Sequence, residues 1–195
     1  MSKNVSFYFD YGSPATYLAW TQMNSIIQET NANINMIPML LGGVFKETGN
    51  ASPATIPAKG KWMMADLKKH ADLYNVEFNS NSFFPINTLN LMRGAIAAKK
   101  MDIFENYSEA IFSGIWVKDI NLGDIPILQE YLEKNNIDTS ELFTLSQSDE
   151  VKTTLIQNTK IAVEKGVFGA PTFFVDDEII FGQDRLNFLR LALKD

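Results

Sequence analysis

The stretch VSFYFDYGSPATYL at residues 5–18 decides the fold of this chain, because it predicts a strand that leads directly into a helix. The run from Val5 to Asp10 is the predicted strand, since its apolar residues alternate with others. Ser13 followed by Pro14 is a common way to begin a helix: serine caps the first turn, and the N–H that proline lacks needs no partner there. Taken alone, the stretch favours a structural cap as the role of Ser13.

The segments that follow predict a βαβ unit. Residues 14–30 carry one apolar stripe at helical spacing and predict a single helix packed on a sheet. Residues 34–41, INMIPMLL, predict a second strand, which the pair Gly42–Gly43 should end. The simplest arrangement pairs the two strands in parallel through a right-handed crossover.

The middle of the chain is helical in its pattern. Between residues 43 and 145 amphipathic segments alternate with polar joints, and one more helix is expected before Gly166, a typical helix terminator. The predicted helices span residues 60–74, 87–100, 101–115, 124–135 and 149–165.

The end of the chain returns to strands. Thr172–Val175 and Glu178–Phe181 flank Asp176–Asp177, which can form a two-residue hairpin turn, and residues 184–193 predict a last helix. The order of elements is that of an α/β, thioredoxin-like fold, with a mixed sheet (βαβ…αββα) and an inserted helical domain. We expect the thioredoxin-like domain at residues 1–42 and 146–195 and the inserted helical domain at residues 43–145.

The composition narrows the possible functions. The 195 residues include no cysteine and one histidine, His70, which excludes disulfides, thiolate metal sites and thiol–disulfide exchange, and we expect no metal. A net charge of −6 with scattered Lys and Arg argues against nucleic-acid and membrane partners. The N-terminus MSKNVSFYFD lacks the pattern of a signal peptide and no apolar run is long enough to span a membrane, so we expect a soluble, cytoplasmic protein.

The first motif that suggests chemistry is Ser13–Thr16. In a thioredoxin-like fold the turn after the first strand usually carries Cys-x-x-Cys at a helix N-terminus, where the helix favours a thiolate. Hydroxyls replace both thiols here. The electrostatics belong to the helix and would remain, so an external thiolate could occupy the position.

Two further motifs suggest a ligand with an amino-acid head group. In GVFGAPTFF, residues 166–174, Pro171 either begins a strand in trans or forms a cis bond that leaves the backbone of Ala170 free to pair with a peptide ligand; we predict the cis bond. In GQDRL, Asp184 is either a helix cap beside a solvated Arg185 or the partner of an ammonium group.

Together these motifs resemble the 2-hydroxychromene-2-carboxylate isomerases and the related kappa-class glutathione transferases, a branch of the DsbA-like thioredoxin superfamily. The combination of Ser-Pro in the first turn with GVFGAPTFF and GQDRL carries the resemblance. It covers nearly the whole chain and extends through FYFDYGSPATYLA, LLGGVFKETGN, IPAKGKW, DLKKHADLY, FPINTLNLMRG and GVFGAPTFFVDDEIIFGQDRL.

The resemblance implies that the chain binds glutathione as cofactor and a small electrophilic substrate. It gives Ser13 the catalytic position, with its hydroxyl donating a hydrogen bond to the glutathione sulfur. Asn50 and Lys59 would line the glutathione groove, although a turn residue and a surface charge are their ordinary interpretations. The remaining positions would be the backbone at Ala170 and Pro171 for the cysteinyl part, and Asp184 with Arg185 for the γ-glutamyl head.

The resemblance also places Asn87 and Thr88 near the active site, where an amide could contact substrate. The interpretation that Asn87 caps the following helix is equally open. Trp62, Met63 and Met64 are expected as helical core residues first and as the wall of an apolar pocket second.

In the isomerases the glutathione thiolate adds to a conjugated carbon, the resulting single bond rotates, and elimination restores the double bond and releases glutathione. We therefore expect a glutathione-dependent isomerase acting on 2-hydroxychromene-2-carboxylate or a related conjugated aromatic-derived acid, and a homodimer. Ala15 stands where many isomerases have an aromatic residue and could widen the electrophile pocket. The alternatives are a kappa-like glutathione transferase, which would consume glutathione, and a non-catalytic thioredoxin-fold binding protein.

Overall fold

A mixed sheet of four strands forms the centre of the computed structural model, which describes residues 2–194. Its spatial order is β2-β1-β3-β4, with β1 parallel to β2, antiparallel to β3, and β3 antiparallel to β4. This arrangement confirms the predicted βαβ opening and the hairpin around Asp176–Asp177. The strands are β1 (Asn4–Phe9), β2 (Asn33–Pro38), β3 (Thr172–Val175) and β4 (Glu178–Phe181).

Ten helices surround this sheet within residues 2–194, and short 3₁₀ turns lie at Pro53–Thr55 and Gln183–Arg185. None of these helices is long and apolar enough to cross a membrane. The helices are α1 (Pro14–Trp20), α2 (Met23–Thr30), α3 (Leu41–Thr48), α4 (Pro57–Tyr74), α5 (Leu89–Lys100), α6 (Phe104–Trp116), α7 (Ile125–Lys134), α8 (Thr139–Ser146), α9 (Asp149–Glu164) and α10 (Leu186–Lys194).

The single helix predicted over residues 14–30 is wrong, because the chain forms α1 and α2 with a break between them. The Thr21 hydroxyl donates to the Leu18 carbonyl at 2.7 Å, a local bond that competes with continuation of the helix. The break predicted at Gly42–Gly43 is also wrong, since both glycines lie inside α3. The side chain of Leu40, the residue before this helix, makes no capping hydrogen bond. The Leu41 N–H instead donates to the carboxylate of Asp10 at 2.8 Å.

Other boundaries differ by a few residues. The helix predicted at 101–115 begins at Phe104, because Asp102 adopts a left-handed conformation with φ of 55°. Residues 184 and 185 belong to a 3₁₀ turn rather than to the last helix. Helix α8 was not predicted at all. The division into domains 1–42 with 146–195 and 43–145 stays a prediction, and its outer ends at Met1 and Asp195 lie outside the described residues.

Strand β1 is buried on both faces, which makes it the centre of the core. Phe7 and its neighbours at alternate positions face the larger cluster, while Tyr8 faces a smaller one on the other side of the sheet. Phe7 lies opposite Phe173 of β3, with ring centroids 4.4 Å apart. Such cross-strand aromatic pairs stabilise the register of neighbouring strands.

We expect Phe7→Ala to lower the free energy of unfolding by about 3–5 kcal/mol, because it leaves a cavity in a fully buried region. Chemical denaturation followed by tryptophan fluorescence measures this change. Phe188→Ala is the matched control, since Phe188 is 56% exposed and its truncation should cost less than about 1 kcal/mol. Equal losses in both variants would contradict the assignment of Phe7 to the core.

Candidate active site

Ser13 lies where β1 gives way to α1, and its hydroxyl has two partners. Its Oγ accepts the N–H of Thr16 at 3.1 Å, so serine does cap the helix as the sequence predicts. The same hydroxyl donates to the carbonyl of Ala170 at 2.9 Å, across 157 residues of chain. The cap and the long-range contact therefore coexist, and they fix the side chain at the start of α1.

The first turn of α1 offers a further donor beside Ser13. Pro14 has no N–H, and the N–H of Thr16 is taken by the cap. The N–H of Ala15 has no backbone partner within residues 2–194, as expected for the first turn of a helix. Helix α1 has only seven residues, so a bound anion would be stabilised by these local groups more than by a long helix.

The buried carboxylate of Asp10 holds the turn between β1 and α1 in place. It is 1% exposed and accepts three hydrogen bonds, from the Gly12 N–H at 2.9 Å, the Leu41 N–H at 2.8 Å and the Thr88 hydroxyl at 3.1 Å. Burial raises the pKa of Asp10 above its ordinary value, and these three hydrogen bonds oppose the rise. A side chain at Gly12 would approach Thr88 to 2.9 Å, so only glycine fits here without movement.

The loop before β3 forms the second side of the site. The Ala170–Pro171 peptide bond is cis, which confirms the prediction. Phe84–Pro85 is also cis and was not predicted. The Ala170 carbonyl accepts the Ser13 hydroxyl, and the Ala170 N–H has no backbone partner within the part of the chain that the structure describes. The backbone N–H of Ala170 is thus free to donate, while its carbonyl is occupied by Ser13.

A cleft of about 410 Å³ opens in front of Ser13. Its volume lies within the range usual for small-molecule sites. Four of the residues predicted for the site line this cleft: Ser13, Asn50, Ala170 and Asp184.

Asn50 and Asp184 lie on different segments of the cleft wall. The Asn50 amide donates to the carbonyl of Phe168 at 2.8 Å, which ties the segment after α3 to the loop before Pro171. Asp184 pairs with the neighbouring Arg185 at 2.5 Å. The backbone here is fixed by Tyr74, whose hydroxyl donates to the carbonyl of Gln183 at 2.6 Å.

The other predicted residues do not line the cleft. Lys59 is exposed on α4, three and four residues before the cleft residues Trp62 and Met63, so it shares their helix face. Asn87 is exposed, and its side-chain oxygen accepts the Leu89 N–H at 3.1 Å, as expected for the interpretation in which Asn87 caps the following helix. Thr88 is buried against Asp10. Pro171 and Arg185 lie beside cleft residues in the chain, and the ligand contacts of all five stay predictions.

Most of the aromatic wall of the cleft could not be predicted from the sequence. Trp62, expected mainly in the core, is 69% exposed and lines the opening instead. Asp66, one helical turn further along α4, also lines the cleft, which therefore contains a second carboxylate besides that of Asp184. The aromatic residues come from separate segments, so no local pattern could group them; they are Phe45, Trp62, Phe84, Phe168 and Phe181.

Comparisons with known proteins identify the family of the chain. The family model of the DsbA-like thioredoxin domain matches residues 4–194. A 2-hydroxychromene-2-carboxylate isomerase of Sphingobium xenophagum is 32% identical over 197 residues, covering 100% of both chains. The kappa 1 glutathione S-transferase of Rattus norvegicus is 26% identical and covers 97% of this chain and 90% of its own. The solved structure of a 2-hydroxychromene-2-carboxylate isomerase matches with a TM-score of 0.86 and 26% identity, over 97% of this chain and 94% of that one.

The chain therefore belongs to the DsbA-like thioredoxin family. Within it, the chain belongs to the family of the 2-hydroxychromene-2-carboxylate isomerases, with the kappa-class glutathione transferases as further relatives. Both findings confirm the predicted fold class and the resemblance drawn from the motifs.

Asp10→Asn should make the free energy of unfolding less dependent on pH. Because burial raises the pKa of Asp10, the folded protein binds this proton more tightly than the unfolded chain does. Stability should therefore fall as the pH rises from the ordinary value of 3.8 through the higher folded value, and this fall should be missing in the variant. Urea denaturation at a series of pH values from about 4 to about 8 measures the difference.

The matched control is Asp177→Asn, which removes an exposed carboxylate in the hairpin turn. Its stability curve should run parallel to that of the unchanged protein. A constant difference between Asp10→Asn and the unchanged protein at every pH would contradict the role given to burial.

Proposed function

We propose that this chain is a glutathione-dependent isomerase that acts on 2-hydroxychromene-2-carboxylate or a related conjugated aromatic-derived acid. The observation that carries the proposal is the Ser13 hydroxyl in the cleft, 2.9 Å from the Ala170 carbonyl, in a chain without cysteine that belongs to this family of isomerases. A thiol-dependent reaction in such a chain needs a thiol from outside. We further propose that the protein is cytoplasmic and a homodimer.

The cleft fits glutathione in its donors and acceptors. The N–H groups of Ala15 and Ala170, which have no backbone partner within residues 2–194, suit the thiolate and the cysteinyl carbonyl, respectively. Asp184 offers a carboxylate to the ammonium of the γ-glutamyl head, and Asn50 an amide to the peptide. Lys59, at the outer end of the same helix face as Trp62, suits a carboxylate.

Ser13 would stabilise the thiolate through its single hydroxyl proton. That proton is donated to the Ala170 carbonyl in the present structure, so it must turn towards the sulfur. The Ala170 carbonyl would then accept the cysteinyl N–H of the ligand in place of the serine. The Thr16 N–H can stay on Oγ during this exchange, because it uses a lone pair and not the proton.

One hydrogen bond from Ser13 is strong enough to lower the pKa of the bound thiol substantially. A free thiol has a pKa of about 8.5, and a charge-assisted hydrogen bond contributes about 1.5–3 kcal/mol, which corresponds to one to two pKa units. Glutathione, when bound, supplies a thiolate that adds reversibly to a conjugated carbon, so that a double bond becomes a rotatable single bond. The aromatic wall with Trp62 and Phe84 suits a flat, conjugated substrate.

Ser13→Ala should lower kcat at neutral pH by about tenfold or more, because bound glutathione would lose the one to two pKa units of thiolate stabilisation that the hydroxyl supplies, while the Kd of glutathione should change less. The assay follows the absorbance of 2-hydroxychromene-2-carboxylate with and without glutathione, and quantifies glutathione afterwards. Recovery of all the glutathione supports isomerisation. Consumption of one glutathione per product would support the kappa-like transferase, and absence of glutathione binding would support the binding protein.

The matched control is Ser148→Ala, which removes a serine cap from α9, away from the cleft. Both variants should lose about 1 kcal/mol of stability, but only Ser13→Ala should lose activity. Equal activity in the two variants would contradict a chemical role for Ser13.

Asp184→Asn should weaken glutathione binding by about tenfold or more, because a charged hydrogen bond to the ammonium is lost. Isothermal titration calorimetry measures the Kd. Asp177→Asn removes the same charge from the hairpin turn and should leave the Kd within about twofold. If both variants bind glutathione like the unchanged protein, Asp184 does not hold the γ-glutamyl head.

A further inference from the structure

A second cavity lies on the opposite side of α3 from the cleft. Residues Leu41 and Phe45 of this helix line the cleft, whereas Gly43 and Lys46 line the second cavity. The cavity has a volume of about 580 Å³ and shares no lining residue with the cleft. We call it the α3–α9 groove, since α3, the first turns of α5 and one face of α9 form its walls, with Lys46, Leu89, Arg93, Lys152, Leu155 and Ile156 among the lining residues.

The walls of the α3–α9 groove are largely apolar. Leu89 of α5, Leu155 and Val163 of α9, and Leu40 in the loop before α3 contribute aliphatic side chains. Ile156 lies at the edge and is 67% exposed, although it is a large aliphatic residue. An apolar body in the groove would remove this surface from water.

The groove also carries an uncompensated positive charge. Arg93 of α5 lines it, and the Nε of Arg93 is buried without a hydrogen-bond partner among residues 2–194. In the same part of the chain Arg93 forms no ion pair, and neither do Lys46 and Lys152. Four basic and two acidic side chains line the groove, so it is positive in a chain whose net charge is −6.

We propose that the α3–α9 groove binds a small amphipathic organic anion, with its apolar body against the leucines and its carboxylate on Arg93. A guanidinium presents N–H donors in a planar fork that matches a carboxylate. The Nε of Arg93 is closed to solvent, so an incoming carboxylate would accept from the terminal N–H groups of the guanidinium, which donate no hydrogen bond within residues 2–194. The proposal does not depend on glutathione, because no residue of the groove belongs to the cleft.

Titration calorimetry with 2-naphthoate tests the proposal. We expect one naphthoate to bind in the groove of each chain. Arg93→Gln should weaken this binding at least tenfold. The unchanged protein should bind the neutral 2-naphthamide at least tenfold more weakly than it binds naphthoate. The matched control is Arg190→Gln, which removes the same charge from α10 and should leave the Kd within twofold. Arg190 pairs with Glu29 on the surface, so its loss should not alter the fold.

Ile156→Glu keeps the test valid if Arg93→Gln fails to fold. This exposed position tolerates a polar residue, and its new carboxylate should repel the anion and weaken binding at least tenfold more than the neutral Ile156→Gln does. Absence of binding to the unchanged protein, or affinity unchanged in both Arg93→Gln and Ile156→Glu, would overturn the proposal. Sedimentation that finds a dimer converted to monomer by Ile156→Glu would also overturn it, since a second copy of the chain would then cover the groove.

Discussion

The buried carboxylate of Asp10 is the interaction on which the site depends. It joins three segments that are far apart in the chain, because it accepts hydrogen bonds from Gly12, from Leu41 at the start of α3, and from Thr88 just before α5. These bonds set the path of the turn that presents Ser13, and they give α3 the acceptor that its own cap residue lacks. Since α3 separates the cleft from the α3–α9 groove, one carboxylate positions a wall that both cavities share.

The predictable parts of the fold are those in which local pattern and tertiary structure agree. β1 alternates because its faces meet different clusters of the core, and the β3–β4 hairpin follows its turn at Asp176–Asp177. Helix α3 could not be predicted, because Gly42 and Gly43 disfavour a helix locally and the group that starts it, Asp10, lies 31 residues away. At the break between α1 and α2 the Thr21 hydroxyl bonds back to the Leu18 carbonyl, and an apolar stripe gives no sign of such a bond.

Some residues of the candidate site could be predicted from the sequence and others could not. Ser13, Asn50, Ala170 and Asp184 reach one cleft from four segments, and only the resemblance of the motifs to a known family could group them before the structure did. Thr88, by contrast, uses its hydroxyl on Asp10, so the structure accounts for it without a substrate. The aromatic wall and Asp66 escaped the sequence analysis because exposed residues on a helix give the same pattern whether or not another segment forms a cleft against them.

Stabilisation of a glutathione thiolate by Ser13 is tested most directly by a titration of the ultraviolet thiolate absorbance. The chain has no cysteine, so thiolate absorbance added below the tyrosine range belongs to glutathione alone. Burial raises the pKa of Tyr8, Tyr11 and Tyr17, which further separates the two signals. We expect the thiol of bound glutathione to titrate at least one pH unit below free glutathione, and Ser13→Ala to abolish the shift. A thiol that titrates alike in solution, in the protein and in the variant would contradict the account.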